Sequence, residues 1–172
     1  DKNFYGKGKL EDGVMPRGLA CYTPAAPIEY NPAKAKELLA EAGYPDGVEI
    51  NLQQVSSWSS KWSDMNQIIQ AQVAEAGFKA NIVTTDEAAF LDARKAGAAE
   101  AYTQVWSADF NDPDNFFYTF FSESGTKVRG YNNNDPEVFA GIEKARGMTD
   151  QEARCKQYQD LTARIVDTDA AW

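Results

Sequence analysis

Between Asn31 and Gly43 the apolar residues Ala35, Leu38, Leu39 and Ala42 recur three and four apart, the spacing of one helical face. The stretch carries its own punctuation. Asn31 suits an N-cap, Pro32 the first helical position, and Gly43 the left-handed residue after the last turn. Tyr44-Pro45-Asp46-Gly47 then reads as a turn, because Pro presets φ and Gly accepts a positive one. The period drops to two in VEINLQQV, where Val48, Ile50 and Leu52 alternate with polar neighbours as in a strand. A second helix is predicted from Ser59 to Ala76 on Trp62, Met65, Ile69, Val73 and Ala76, closed by Gly77. FKANIVTT is the next strand. Asp86 caps a third helix that carries Phe90 and Leu91 and ends near Gly97, and AYTQVW is a third strand.

Beyond Trp106 the pattern changes. A short aromatic helix near Phe116 to Phe121 and a turn region at ESGTKVRGYNNNDP precede two helices, Pro136 to Arg146 and Asp150 to about Val166. The last of these sets Leu161 and Ile165 on one face. Residues 1–30 hold four Gly and three Pro with little periodicity and read as an extended connecting segment, leaving 31–172 as the core. YGKGKLEDG lacks both the Gly-Lys-Ser/Thr of a phosphate loop and the third Gly of a dinucleotide fingerprint. Helices alternating with strands argue for an α/β layer structure with a small mixed sheet flanked by helices. In such sheets ligands sit beyond the carboxyl ends of strands, which is where the loop at Trp106 falls.

Composition narrows the function classes. A chain of 172 residues is the size of one domain and needs no staples to fold. Its net charge of −9 repels phosphate backbones and anionic lipid, so nucleic acid is not an expected partner. The absence of His removes Ser-His and Cys-His nucleophile pairs and imidazole-ligated metal; no metal and no cofactor is expected. Cys21 and Cys155 have no CxxC spacing; a disulfide between them and two separate thiols fit equally well. No apolar run approaches the roughly 20 residues that span a bilayer. The ends, DKNFYGKGKL and DTDAAW, read as cuts from a longer chain.

The chemistry concentrates in WSADFNDPDNFF, residues 106–117. A calcium loop starting at Asp109 would need an oxygen ligand at its fifth position, Gly at its sixth and Glu at its twelfth; Pro113, Asp114 and Phe120 stand there. Asp109 and Asp112 are compatible with the acid pair of a glycoside hydrolase, yet nothing singles them out among 26 carboxylates. Asp112-Pro113 reads as a helix cap with Pro at the first position. Asp114 and Asn115 then lie in a first turn whose dipole favours negative charge, and Phe116, Phe117, Phe120 and Phe121 form its buried face. Asp109 is not needed by that cap. Beside Trp106 it suits a ligand with a cation and an apolar part.

YNPAKAKELLAEAGYPDGVEINL resembles the segment Y-(D/N)-P-x-K-A-x-x-L-L-x-E-A-G-Y-x-x-G of the solute-binding proteins of peptide-type ABC importers. VWSADFNDPDNFF is similar to the W-x-x-D-x-x-D-P-x-x-F of the same family, and DQEARCKQYQDLTARIVDTDAAW to its R-x-x-x-Y-x-x-x-Q-x-I-x-x-D-x-P-x-(I/V) ending, departing at Ala163 and Ala170. The resemblance implies a single lobe of a periplasmic-binding-protein-like fold, type II and of the peptide-binding class. Residues 1–172 would be the C-terminal ligand-binding lobe, with the other lobe absent from this chain. It implies capture of a peptide or similar small solute outside the membrane, delivery to an ABC permease, and no enzymatic activity. The location would be the periplasm or, for a Gram-positive lipoprotein, the cell surface. The family's ammonium-pairing Asp falls on Asp109, its pocket-lining Trp on Trp106, with Ser107 beside it. Tyr131 and Asn132 lie in a loop that often reaches the cleft. Two other readings stay open: a carbohydrate receptor of the same family stacking sugars on Trp58, Trp62 and Trp106, and a hydrolase using Asp109 and Asp112.

Overall fold

The computed structural model describes residues 7–8, 13–25, 29–131 and 134–168. They divide between Val105 and Trp106 into two compact units, the first holding residues 7–8 and 29–105 and the second 13–25 with 106–168.

The first unit follows the hydrophobic pattern closely. Asn31 caps α1 (Pro32–Glu41) by accepting from the Lys34 N–H at 3.0 Å, and the following turn closes through Gly47 N–H to the Tyr44 carbonyl at 3.0 Å. β1 (Val48–Val55), α2 (Ser60–Glu75), β2 (Phe78–Thr85), α3 (Glu87–Lys95) and β3 (Ala101–Tyr102) come next along the chain. The strands are ordered β2-β1-β3, with β1 paired to β2 along its whole length from Val48↔Phe78 to Val55↔Thr85. Both pairings are parallel, where the sequence suggests a mixed sheet. The helical links force this: α2 carries the chain back from β1 to β2 and α3 from β2 to β3, so each strand restarts at the same edge.

Two expectations change here. The apolar stripe of α1 is only partly covered within the described residues: Ala35 and Leu39 are half-buried, none is fully buried, and Leu38 is 52% exposed. The third strand, expected across AYTQVW, is a strand only at Ala101 and Tyr102. After Tyr102 side chains take over from the ladder. The Thr103 hydroxyl donates to Asn66 Oδ1 on α2 at 3.2 Å, and Gln104 Oε1 accepts from Arg94 Nη1 on α3 at 3.3 Å. Asn66 is fully buried and also donates to Gln54 Oε1 at 3.1 Å, so its amide is satisfied from both sides.

The second unit is built on aromatics. α4 (Asp114–Phe116) widens into a π-type turn over Phe117–Phe121, and Phe116, Phe117, Phe120 and Phe121 are all buried. α6 (Pro136–Gly147) adds Val138, Ile142 and Ala145 to this core, and α7 (Gln151–Thr168) adds Tyr158, Leu161 and Ile165. Val14 and Met15 belong to the stretch whose sequence suggests connecting chain, yet both are buried in the same cluster.

The region ESGTKVRGY, a turn by its composition, contains a helix, α5 (Glu123–Arg129). Ser122 caps it, accepting from the Gly125 N–H at 2.9 Å while donating to the Tyr118 carbonyl at 2.6 Å. Gly125 is needed because a Cβ there would collide with the carbonyl oxygens of Tyr118 and Thr119. Gly130 closes the helix in the left-handed region at φ 66°.

Cys21 and Cys155 form a disulfide across 134 residues of sequence, tying the segment 13–25 to α7. Closing so long a loop restricts the unfolded chain, and Cys21→Ser or Cys155→Ser should each lower stability by about 2–4 kcal/mol. Thermal melts with and without dithiothreitol check this: reduction should bring the wild-type protein down to the level of the variants.

Candidate functional site

The chain enters the second unit at Trp106. The side chain of Asn115, 4% exposed in the first turn of α4, organises the residues between them. Its Oδ1 accepts the Trp106 indole N–H at 2.8 Å and the Asp109 backbone N–H at 3.4 Å, and its Nδ2 donates to Asp109 Oδ2 at 3.3 Å. A buried amide thus fixes the indole and aims the carboxylate. Phe120 meets the indole edge-on, with centroids 5.5 Å apart and planes at 88°. The Arg129 guanidinium lies over the Trp106 ring at 4.8 Å and the Phe120 ring at 5.1 Å.

Asn115 holds its place because the helix start is held. Asp112 Oδ1 accepts from the Asp114 N–H at 2.8 Å, and the Pro113 carbonyl accepts from the Phe116 and Phe117 N–H groups at 3.0 Å each. The cap expected at Asp112-Pro113 is therefore present. It has a partner the sequence does not reveal: Arg154 of α7 grips Asp112 with Nη1 to Oδ2 and Nη2 to Oδ1, both at 2.7 Å. Arg154 also donates to the Ala145 carbonyl at 3.0 Å and to the Tyr158 hydroxyl at 3.3 Å. This guanidinium holds the Asp112 carboxyl below its ordinary value, against the opposing pull of burial. Burial pushes the Asp114 carboxyl up, with Arg146 at 3.2 Å drawing it back, and pushes the Tyr158 phenol up to about 12.

Trp106, Asp109 and Tyr131 come together around this frame. Trp106 is half-buried, while Ser107 and Asp109 are exposed. Tyr131 stacks on Phe120 with centroids 6.0 Å apart, and its carbonyl accepts from the Thr126 hydroxyl at 3.0 Å. Ser107 shares the exposed stretch with Asp109. Asn132 lies outside the described residues. Trp58 and Trp62 belong to the first unit, packed edge-on to one another at 6.2 Å, with Trp58 also against Phe90 at 5.7 Å.

Sequence reasoning misses Asn115 and Arg129 as neighbours of Trp106. It places Asn115 in a first turn, and nothing in the residue type announces that the side chain will be buried. Arg129 has a usable signal: a basic residue directly before Gly130 is the ending of a helix, which places it on an element.

Asp112 is committed to Arg154 in its ionised form, so it does not act as the proton-donating member of an acid pair. A cleft of about 380 Å³ lined by Phe110, Asp112, Asp114, Arg146 and Arg154 has its two aspartates paired with its two arginines.

A family model described as the bacterial extracellular solute-binding proteins, family 5 middle region, matches residues 1–128. Heme-binding protein A of Haemophilus influenzae is 37% identical over 98% of this chain and 32% of its own length. The dipeptide-binding protein of Escherichia coli is 34% identical over 98% and 32%. A solved dipeptide-binding protein from Pseudoalteromonas sp. SM9913, in complex with Met-Leu, superposes with a TM-score of 0.85 at 26% identity, covering 95% of this chain and 34% of that one. The chain spans about a third of the length of the relatives it matches.

Arg154→Leu should cost about 1.5–3 kcal/mol at pH 7, the range for hydrogen bonds to a charged group. The folded-state pKa of Asp112 lies below its ordinary 3.8, so the pair's stabilisation is full above that value and is lost as pH falls through the lowered one. Asp114, with a raised pKa, works in the opposite sense and gains on protonation. Urea unfolding of the wild-type and Arg154→Leu proteins at pH 7 and again below pH 3.8 should therefore show a gap that narrows in acid.

Proposed function

The chain belongs to the family 5 bacterial extracellular solute-binding proteins, and we propose that it supplies the C-terminal lobe of an ABC-importer receptor that captures short peptides and passes them to the permease. The observation that carries this reading is Asp109 beside Trp106, both oriented by Asn115. The carboxylate pairs with the α-ammonium group of a peptide, and the indole covers the apolar part of the ligand. Ser107, in the same exposed stretch as Asp109, and Tyr131, stacked on Phe120, are further candidates for ligand contact. The relatives support the ligand class, since two of those compared are dipeptide-binding proteins and one holds Met-Leu.

The site acts without catalysis, as a passive grip. Its location is extracytoplasmic, in the periplasm or on the cell surface. The family's extracellular character supports this, and so does the Cys21–Cys155 disulfide, because disulfides persist in oxidising compartments. No helix among the described residues is long and apolar enough to cross a membrane. The remainder of the receptor supplies a second lobe, and the ligand is enclosed between the two.

In the intact receptor Asp109→Ala should weaken binding of Met-Leu by about 2–5 kcal/mol, the cost of removing one member of a desolvated charge pair. Isothermal titration calorimetry measures this directly. An Asp109→Ala receptor that binds as tightly as wild type would remove Asp109 from the ligand, and a wild-type receptor blind to all di- and tripeptides would remove the peptide reading itself.

A further inference from the structure

We propose that Asn111 is a positioning residue: it fastens the loop that carries Asp109 to the disulfide-held segment 13–25, so that ligand affinity depends on the Cys21–Cys155 bond. The inference rests on the peptide-receptor reading and names a control on that same site.

The loop from Trp106 to Asp112 is held from more than one side. Asn115 meets Asp109 through contacts of 3.3 and 3.4 Å, near the outer limit of hydrogen bonding. Arg154 grips the loop only at its last residue, Asp112, with two contacts of 2.7 Å. Between these anchors Asn111 Oδ1 accepts the Ala20 backbone N–H at 3.2 Å, from a segment 91 residues earlier in the chain. Asp109 itself is exposed, so what fixes its approach to a ligand is the set of ties on its own loop.

The segment that donates this N–H is held on both sides of Ala20. Val14 and Met15 are buried in the aromatic core, and Cys21, next to Ala20, is bonded to Cys155 on α7. Cys21 has φ 62°, in the left-handed region that a residue other than glycine keeps mainly where its surroundings impose it. The disulfide thus fixes the backbone beside the group that donates to Asn111. Because Asn111 is exposed, its amide exchanges this partner for water at little cost to the fold. What is lost is the preorganisation of the loop, and a loop that must order itself around a ligand binds it more weakly.

The test is calorimetric titration of the intact receptor with Met-Leu, below the melting range of every protein compared. These are the wild type, Asn111→Ala, the Cys21→Ser/Cys155→Ser double variant and the combination of all the changes. Asn111→Ala should weaken binding by about 2- to 10-fold, the range for one hydrogen bond, with the melting temperature unchanged. Loss of the disulfide should weaken binding too, and adding Asn111→Ala to it should cost less than in the bonded protein, since both changes release one contact. An equal loss from Asn111→Ala in both backgrounds would mean that Asn111 acts without the disulfide and would overturn the proposal, as would Asn111→Ala binding like wild type. Hydrogen exchange gives a second measurement that needs no cysteine variant. Met-Leu should slow exchange of the Ala20 amide in the wild type and not in Asn111→Ala; an effect equal in both, or absent from both, overturns the proposal as well. A wild-type receptor that binds no di- or tripeptide defeats the peptide reading and this inference together. Wild-type binding without coupling between Asn111 and the disulfide defeats the inference alone.

Discussion

The second unit depends on one ion pair. Arg154 reaches from α7 to hold Asp112 with both arms of its guanidinium, and Asp112 in turn starts the helix that positions Asn115. The same guanidinium takes the carbonyl of Ala145 near the end of α6. Two consecutive helices and a turn 42 residues before Arg154 therefore meet at one planar cation. The Arg154 side chain is only 12% exposed, so its charge is tolerable only because its donors are matched. The geometry of the exposed grip is inherited from this buried contact: Asn115 cannot aim Asp109 or fix Trp106 unless the turn that carries it is rigid.

That dependence separates the three aspartates of the acidic stretch. Asp112 is a structural anion, held ionised by Arg154. Asp114 is pushed towards its neutral form by burial and answered by Arg146, which itself lies 3.8 Å from the Tyr118 ring centroid. Asp109 precedes the cap and is exposed, oriented by an amide that carries no charge. A neutral orienting partner leaves the charge of Asp109 uncompensated by that contact, which is compatible with the ammonium-pairing role proposed for it.

Local signals make much of the fold legible. The strand expected at FKANIVTT is β2 from Phe78 to Thr85, and the caps at Asn31 and Asp86 each accept the backbone hydrogen bond their residue type suggests. Those features depend on a few neighbouring residues. The features that escape depend on distant ones. The third strand stops at Tyr102, and beyond it the side chains of Thr103 and Gln104 bond to α2 and α3. α5 is hidden because its Ser122 and Gly125 look like turn residues; they are a cap and a close-packing position against the carbonyls of Tyr118 and Thr119. Trp106 and Asp109 are singled out as candidates by resemblance to a family, whereas Asn115, which holds them, becomes visible only in the folded chain.

Arginine type alone therefore says little about arginine role. Arg154 and Arg129 carry the same group into the same unit, and what each touches decides what it does. Matched to a carboxylate, the Arg154 fork is saturated, and the interaction stabilises the fold at the expense of any further recognition by those donors. Laid on Trp106 and Phe120, the Arg129 guanidinium is fixed through its face, by an attraction to the ring quadrupole worth about 0.5–2 kcal/mol. That attraction is weaker than a bidentate ion pair and is made by a different part of the group, the face of the cation and not its edge.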